Sequence, residues 1–286
     1  MANLKEIRNR ISSVSSTMQI TSAMKMVSAA KLKKAQDAIT AMRPYSDKLT
    51  ELLQGLSATL DADSGSKFSE QRIVKKVLIV AITSNRGLAG AFNSNIIKQV
   101  TSLSTTTYAN QEVSYLAIGK KANDAFKKTN KVIANKSAVY DDLTFDNVAE
   151  IAELLMEQFL IHKADKIVLV YNKFKNAATQ EIMSEQFLPI VPVEGEVNVN
   201  LDYIFEPSKS EIVEQLIPKS LKTQLYKAIR DSFASEHGAR MTAMHKATDN
   251  ATELRDQLKL TYNKARQASI TNEILEIVGG AEALNS

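Results

Sequence analysis

"MQITSAMKMVSAAKLKKAQ", residues 18–36, contains three methionines, four alanines and four lysines, and no acid, aromatic, glycine or proline. Neither glycine nor proline occurs before Pro44, so nothing interrupts a helix of about 40 residues, roughly 60 Å at 1.5 Å per residue. On a 100° wheel with Ile7 at zero, Ile11, Val14, Met18, Ala29 and Leu32 fall within about 40° of one line, and Lys25 interrupts that seam. Ala23, Val27, Ile20 and Met24 fall on the far side, at about 160° to 260°. A helix apolar on two opposed faces needs two different neighbours.

The other end of the chain has the same design. After Pro218 the only glycine before Gly279 is Gly238, which leaves room for a helix of about 60 residues. With Leu225 at zero, Ile229, Ala243, Ala247, Leu254, Leu258, Thr261, Ala265 and Ala268 make one stripe, and Ile270, Ile274 and Ile277 gather on the opposite side. Pairing these terminal segments in an antiparallel coiled coil would leave apolar surface at one end without an intrachain partner. Six of the eight methionines beyond the initiator lie in these segments, and an unbranched thioether tolerates changing partners.

Between the helices the pattern changes to short apolar runs: "KKVLIVAIT" (75–83), "EVSYLAIG" (112–119), "NKVIANK" (130–136), "DKIVLVYNKF" (165–174) and "QEIMSEQFLPIVPV" (180–193). The first and fourth are almost continuously apolar, as strands covered on both faces are. Helical segments near 92–103, 120–129 and 146–163 alternate with them, which gives a small, mostly parallel, Rossmann-like α/β domain. The expected fold class is therefore α/β, a long antiparallel coiled coil of terminal helices carrying that domain at its side. Its parts are an N-terminal helix (1–56), the α/β domain (73–206) and a C-terminal helix (208–286) that pairs with the first. "SATLDADSGSKFSEQR" (57–72) has the composition of a mobile linker.

Charge and composition narrow the chemistry. Residues 1–43 carry eight basic and two acidic groups, while 44–206 carry 17 and 20, so the basic excess is N-terminal. No aromatic precedes Tyr45, which argues against nucleic acid and against a membrane-surface helix. No run reaches the ~18 apolar residues of a spanning helix, and "MANLKEIRNR" lacks a signal-peptide core, so neither insertion nor export is expected. Cysteine is absent, which removes thiolate metal sites and cysteine nucleophiles.

No catalytic constellation emerges. His162, His237 and His245 are scattered without metal-ligand spacing, and the last two fall on a helix expected to be solvated. "TSNRGLAGAFN" (83–93) stands between a strand and a helix, where glycines can admit a phosphate, but it fits neither GxxxxGK[ST] nor GxGxxG. It reads as a tight turn with Asn93 as a possible helix cap; Asn85, Arg86 and Asn93 are polar enough to contact a ligand or partner. No catalytic residue, cofactor or metal is expected. One alternative is a standalone α/β phosphate-binding protein with coiled-coil arms.

Three blocks also carry a resemblance: "LKEIRNRISSVSSTMQITSAMKMVSAAKLKKAQ" (4–36), "TSNRGLAGAFNSNI" (83–96) and the C-terminal run from "SEHGARMTAMHKATDN" (235–250) to "ITNEILEIVGGAEA" (270–283). They resemble the gamma subunit family of bacterial F-type ATP synthases. The resemblance implies a non-catalytic central-stalk rotor whose paired helices turn inside a hexamer of alpha and beta subunits, coupling proton flow to ATP synthesis or hydrolysis. It implies that the α/β domain meets the epsilon subunit and the membrane ring of c subunits, on the cytoplasmic face of the bacterial plasma membrane. It assigns Met24, Lys25 and Met26 ("AMKMV") and Arg266 and Gln267 ("NKARQ") to contacts with acidic catch loops of the beta subunits. Ile270, Ile274 and Ile277 match the tip that turns in an apolar sleeve. The chain departs from the family pattern at Asn85, where Asp is common, at Ala89, where Cys is, and at Gly238, where Ala is usual and where glycine costs a helix about 1 kcal/mol.

Overall fold

The computed structural model describes residues 4–57, 67–129, 131–190 and 209–284. Most of the expected linker, 58–66, and residues 191–206 of the expected α/β segment lie outside them. The described chain runs α1 (Leu4–Ser57), β1 (Lys76–Ile82), α2 (Phe92–Ser102), β2 (Glu112–Ile118), α3 (Lys120–Phe126), β3 (Val132–Asn135), α4 (Phe145–Leu160), β4 (Lys166–Phe174), β5 (Gln180–Leu188) and α5 (Lys209–Leu284). It divides into two compact units, Met1–Ser28 with Met241–Ser286, and Ala29–Arg240.

Both long helices run past the uninterrupted stretches of about 40 and 60 residues, because Pro44 and Pro218 lie inside them. A proline inside a helix removes one backbone bond and crowds the preceding turn, at a cost of about 3 kcal/mol. Burial on both sides of each proline offsets that cost: Ile39 and Leu49 flank Pro44, and Ile217 and Leu221 flank Pro218. The two prolines stand at the same level, since Lys219 Nζ lies 5.9 Å from the ring centre of Tyr45.

In the first unit the two helical segments are antiparallel. Arg8 Nη2 donates to Tyr262 Oη at 2.8 Å, Thr248 Oγ1 donates to Thr21 Oγ1 at 2.8 Å, and Arg255 Nη1 reaches Met18 Sδ at 3.4 Å. The covered residues include the series Ile7, Ile11, Val14, Met18, Thr21, Lys25 and Ser28 on α1, and Met244, Thr248, Ala251, Arg255, Leu258, Tyr262, Ala265 and Ser269 on α5. Both series alternate steps of four and three, the 3.5-residue period of a left-handed supercoil. A 3.6-residue wheel drifts by about 20° per heptad against that period, which moves the α1 seam from Ala29 towards Ser28; on α5 the expected stripe was set by Leu225 and Ile229, which pack in the core of the sheet. Leu254, Thr261 and Ala268 are exposed rather than in the seam, and Ser28 is more deeply buried than Ala29.

The polar pair Thr21–Thr248 favours one register, because sliding either helix by one turn loses this cross-helix bond and leaves each hydroxyl only the carbonyl of its own preceding turn. Thr248→Val is expected to cost about 1 kcal/mol, the usual net value of one such bond. A cycle with Thr21→Val, read from denaturation midpoints, should show positive coupling; independent effects would remove this register assignment.

The second unit is a five-stranded sheet in the order β3-β2-β1-β4-β5. The first four strands are parallel and β5 is antiparallel to β4. Six of the seven β1 residues are buried, as the unbroken apolar run requires. Val77, Ile79 and Ala81 pack with Ile96 and Val100 of α2 and Phe126 of α3. Leu78, Val80 and Ile82 face Leu155 and Phe159 of α4 together with Leu221, Leu225 and Ile229 of α5. The sheet therefore does not hang beside the C-terminal helix; α5 supplies part of its core. Full burial of such side chains is worth about 1.5–3 kcal/mol each, so this seam holds α5 to the sheet.

Candidate functional site: outward helix faces and the β1–α2 loop

All eight residues expected to meet partners lie in the first unit. Met24 and Lys25 are half-buried, and Met26 is the outward one at 65% exposure, beside Val27 and Ile20. Arg266 and Gln267 are exposed, as are Ile270, Ile274 and Ile277, the last at 71%. The cross-helix bonds pair residues whose numbers sum to about 270, which puts residue 246 opposite Met24. Arg266 is a further twenty positions along α5, about 30 Å away at 1.5 Å per residue. The "AMKMV" and "NKARQ" blocks are thus not brought together; they are separate stations along one pair of helices. Every residue from Ile270 to Ala281 is exposed, so the sequence-level expectation of an uncovered apolar end matches the burial pattern.

The β1–α2 loop is closed on itself. Asn93 does not cap α2, whose first turn has no side-chain cap. Its Oδ1 accepts from Ser84 N at 2.9 Å and its Nδ2 donates to Ser84 Oγ at 2.9 Å, so it ties the two ends of the loop. Leu88 and Gly90 take positive φ, 61° and 57°, and Leu88 points outward at 65% exposure. Left-handed backbone costs leucine about 1 kcal/mol or more and persists only where the surroundings hold it.

The helix terminus beside this loop is also occupied. Lys120 N donates to Asn85 Oδ1 at 3.0 Å, Lys121 N to Ser84 O at 3.2 Å and Ala122 N to Thr83 Oγ1 at 2.9 Å. These are the first three N–H groups of α3, the donors a phosphate would take. Asn85 also donates through Nδ2 to Ser137 O at 3.0 Å, which an aspartate could not do.

The carboxyl ends of β1 and β4 flank the point where strand order reverses, the usual ligand crevice of such sheets. Here α5 fills it. Nine of the ten residues 231–240 are buried although the segment reads "DSFASEHGAR". Ser235 Oγ donates to Asn172 O at 3.0 Å, and Ala239 packs with Ala89 and Phe92. Arg240 Nη1 pairs with Glu236 at 2.6 Å, and its Nη2 donates to Arg86 O and Gly87 O at 3.4 and 3.3 Å. Burial pushes the Glu236 carboxyl above its ordinary range, and Arg240 pulls it back.

His237 corrects an expectation. It is 5% exposed rather than solvated, stacks edge-on against Phe233 at 4.5 Å, and has no hydrogen-bond partner on either nitrogen among the described residues. Burial, then the charges of Arg240 and Lys31, lower its pKa to about 3. Among the described residues no three His, Cys, Asp or Glu side chains are grouped to hold a metal, and no helix is long and apolar enough to cross a membrane.

The ATP synthase family model matches residues 3–284. The ATP synthase gamma chain of Flavobacterium psychrophilum is 73% identical over 285 residues, 99% of each chain, and that of Flavobacterium johnsoniae is 73% identical over the full length of both. This chain belongs to the ATP synthase gamma chain family. The fold agrees with a chain of the Euglena gracilis mitochondrial ATP synthase (OSCP/F1/c-ring), with TM-score 0.71 at 24% identity, covering 98% of this chain and 94% of that one. It also agrees with a chain of the Tetrahymena thermophila central stalk and c-ring, with TM-score 0.61 at 24% identity over 80% and 99%.

One departure of this gamma chain from the resemblance drawn above now has a steric reason. A Cβ on Gly238 would stand 3.1 Å from Ala177 O and 3.3 Å from its Cα, so α5 and the β4–β5 turn approach more closely than alanine allows without a shift.

Proposed function

We propose that the chain is the central-stalk rotor of a rotary, proton-translocating ATP synthase, non-catalytic itself, with the catalytic sites on the beta subunits. The terminal helices, 1–56 and 208–286, serve as the shaft within the alpha and beta subunits. The 73–206 domain meets the epsilon subunit and the c ring, peripherally on the cytoplasmic face of the bacterial plasma membrane. Rotation couples the sites because each shaft orientation contacts the open and closed states of a beta subunit differently.

The observation that carries this reading is the exposed apolar series on paired helices, Ile20, Met26 and Val27 on one and Ile270, Ile274 and Ile277 on the other. Such surface on a soluble chain calls for a partner, and its two stations suit contacts at different heights: catch loops at Met24, Lys25, Met26, Arg266 and Gln267, and a sleeve around the isoleucines. The phosphate-binding alternative is disfavoured by the occupied crevice and the satisfied α3 terminus.

The test is reconstitution with alpha and beta subunits in gamma-depleted membranes. The chain should restore ATP-driven proton uptake while hydrolysing no ATP alone; robust turnover by the isolated chain would sink the reading. In the same assay Met24→Lys should keep hydrolysis running but lower protons pumped per ATP by about three- to tenfold. That is roughly 0.6–1.4 kcal/mol of altered preference between rotor orientations. Unchanged pumping per ATP would count against the contact at Met24.

A further inference from the structure

Apolar packing resists separation of two elements but is non-directional, so it does little to stop one from turning or sliding on the other. The seam between α5 and the sheet, Leu221, Leu225 and Ile229 against Leu78, Val80 and Ile82, is of that kind. A rotor needs more, because torque carried by a helix must reach the domain on which the helix lies.

Directional ties occur within two turns at the end of this unit, whose last residue is Arg240. Ser235 Oγ binds the β4 carbonyl of Asn172. Gly238 is in backbone-distance approach to Ala177 of the β4–β5 turn. Arg240 holds the adjacent carbonyls of Arg86 and Gly87 in the β1–α2 loop, oriented by Glu236, with both side chains of the ion pair no more than 10% exposed. The three ties go to three different parts of the sheet edge, so together they fix the azimuth of α5. The two carbonyls that Arg240 holds also immediately precede Leu88, the residue kept at φ 61°.

We propose that the Glu236–Arg240 pair is a torsional clasp: it locks the rotational setting of α5 on the sheet through the β1–α2 loop, as a positioning element needed for coupling and not for hydrolysis. This rests on the central-stalk reading for its role in coupling, but not for its mechanics. An arginine suits the task because its planar fork reaches a carboxylate and two carbonyls together, which a lysine ammonium reproduces only in part.

The experiment uses the full chain. Since the protein has no cysteine, Leu88→Cys gives a single site for a nitroxide label. In that background Arg240→Gln and, separately, Glu236→Gln should raise the mobility of the label well below the melting temperature, and Arg240→Lys should recover part of the order. In reconstituted membranes, without the label, Arg240→Gln should lower protons pumped per ATP by about fivefold with hydrolysis within about twofold of the parent, the scale of coupling between linked sites. An immobile label in both glutamine variants, or pumping and hydrolysis that fall in parallel, overturns the clasp. Failure of the unsubstituted chain to restore pumping would instead overturn the central-stalk reading and the coupling role with it, while label mobility on the isolated chain still decides the mechanics.

Discussion

Gly119→Ala is expected to destabilise the protein by about 3–5 kcal/mol, a large share of the 5–15 kcal/mol that holds a typical domain. Gly119 links β2 to α3 at φ 108°, where L side chains are rarely found. A Cβ there would lie 2.2 Å from Thr83 O, 2.6 Å from its carbonyl carbon and 2.7 Å from Oγ1. The first two are backbone atoms at the end of the central strand, so no rotamer change relieves them. Thr83 is also bound in both directions: its N–H donates to Ile118 O at 2.8 Å, and its Oγ1 accepts from Ala122 N. Moving it would uncap α3 and break the β1–β2 ladder at its last rung. Strain at φ and overpacking each contribute about 1–3 kcal/mol. The urea midpoint should fall with an unchanged slope. A loss below about 1 kcal/mol would mean that the strand end yields, against the geometry.

Gly119 also shows how unevenly the fold is written in the sequence. The five strands were legible because β1 and β4 are buried on both faces and so read as unbroken apolar runs, a signal that needs no tertiary knowledge. The glycine at the end of "EVSYLAIG" marks the edge of β2, yet nothing local says that Thr83, thirty-six positions earlier, will stand 2.2 Å from its missing Cβ. The long helices were legible for their lack of breakers, and packing carried them through Pro44 and Pro218, where the uninterrupted stretches ended.

The exposed apolar surface was partly legible for the same reason. Ile270, Ile274 and Ile277 recur at helical spacing outside the seam, and exposure follows from that alone. Met24, expected on the outward face, is half-buried while Met26 is exposed, because a wheel drawn at 3.6 residues per turn is out by tens of degrees after a few heptads of supercoil. The crevice was not legible at all. "DSFASEHGAR" is polar enough to read as a solvated face, and its burial depends on the β1–α2 loop, β4 and the β4–β5 turn converging on one stretch of α5. Asn85 and Asn93 stood out as polar enough to contact a ligand or partner, and their bonds are internal: one spans α3 and Ser137, the other ties the loop at Ser84.

Acidification from pH 7 to pH 5 is expected to remove about 2 kcal/mol of stability through His237 alone, and His237→Phe should abolish that loss. The folded-state pKa is about 3, against an ordinary value of 6.5. Between those values the unfolded chain binds a proton that the folded chain refuses, so stability is undiminished above pH 6.5 and falls as pH drops towards 3. The slope is about 1.4 kcal/mol per pH unit within that window. The cause is burial first, then Arg240 and Lys31, with no acceptor among the described residues to stabilise an imidazolium. Glu236 acts in the opposite sense: its raised pKa means that the folded carboxyl takes up a proton before the unfolded one, which adds stability as pH falls. That contribution is common to parent and variant and cancels in their difference. Phenylalanine keeps the edge-on contact with Phe233 while removing both unpartnered nitrogens. Denaturant unfolding of the two proteins at pH 7 and pH 5 checks the claim. Equal acid slopes for parent and variant would show that His237 takes up a proton in the folded state and that its burial is less complete than the packing implies.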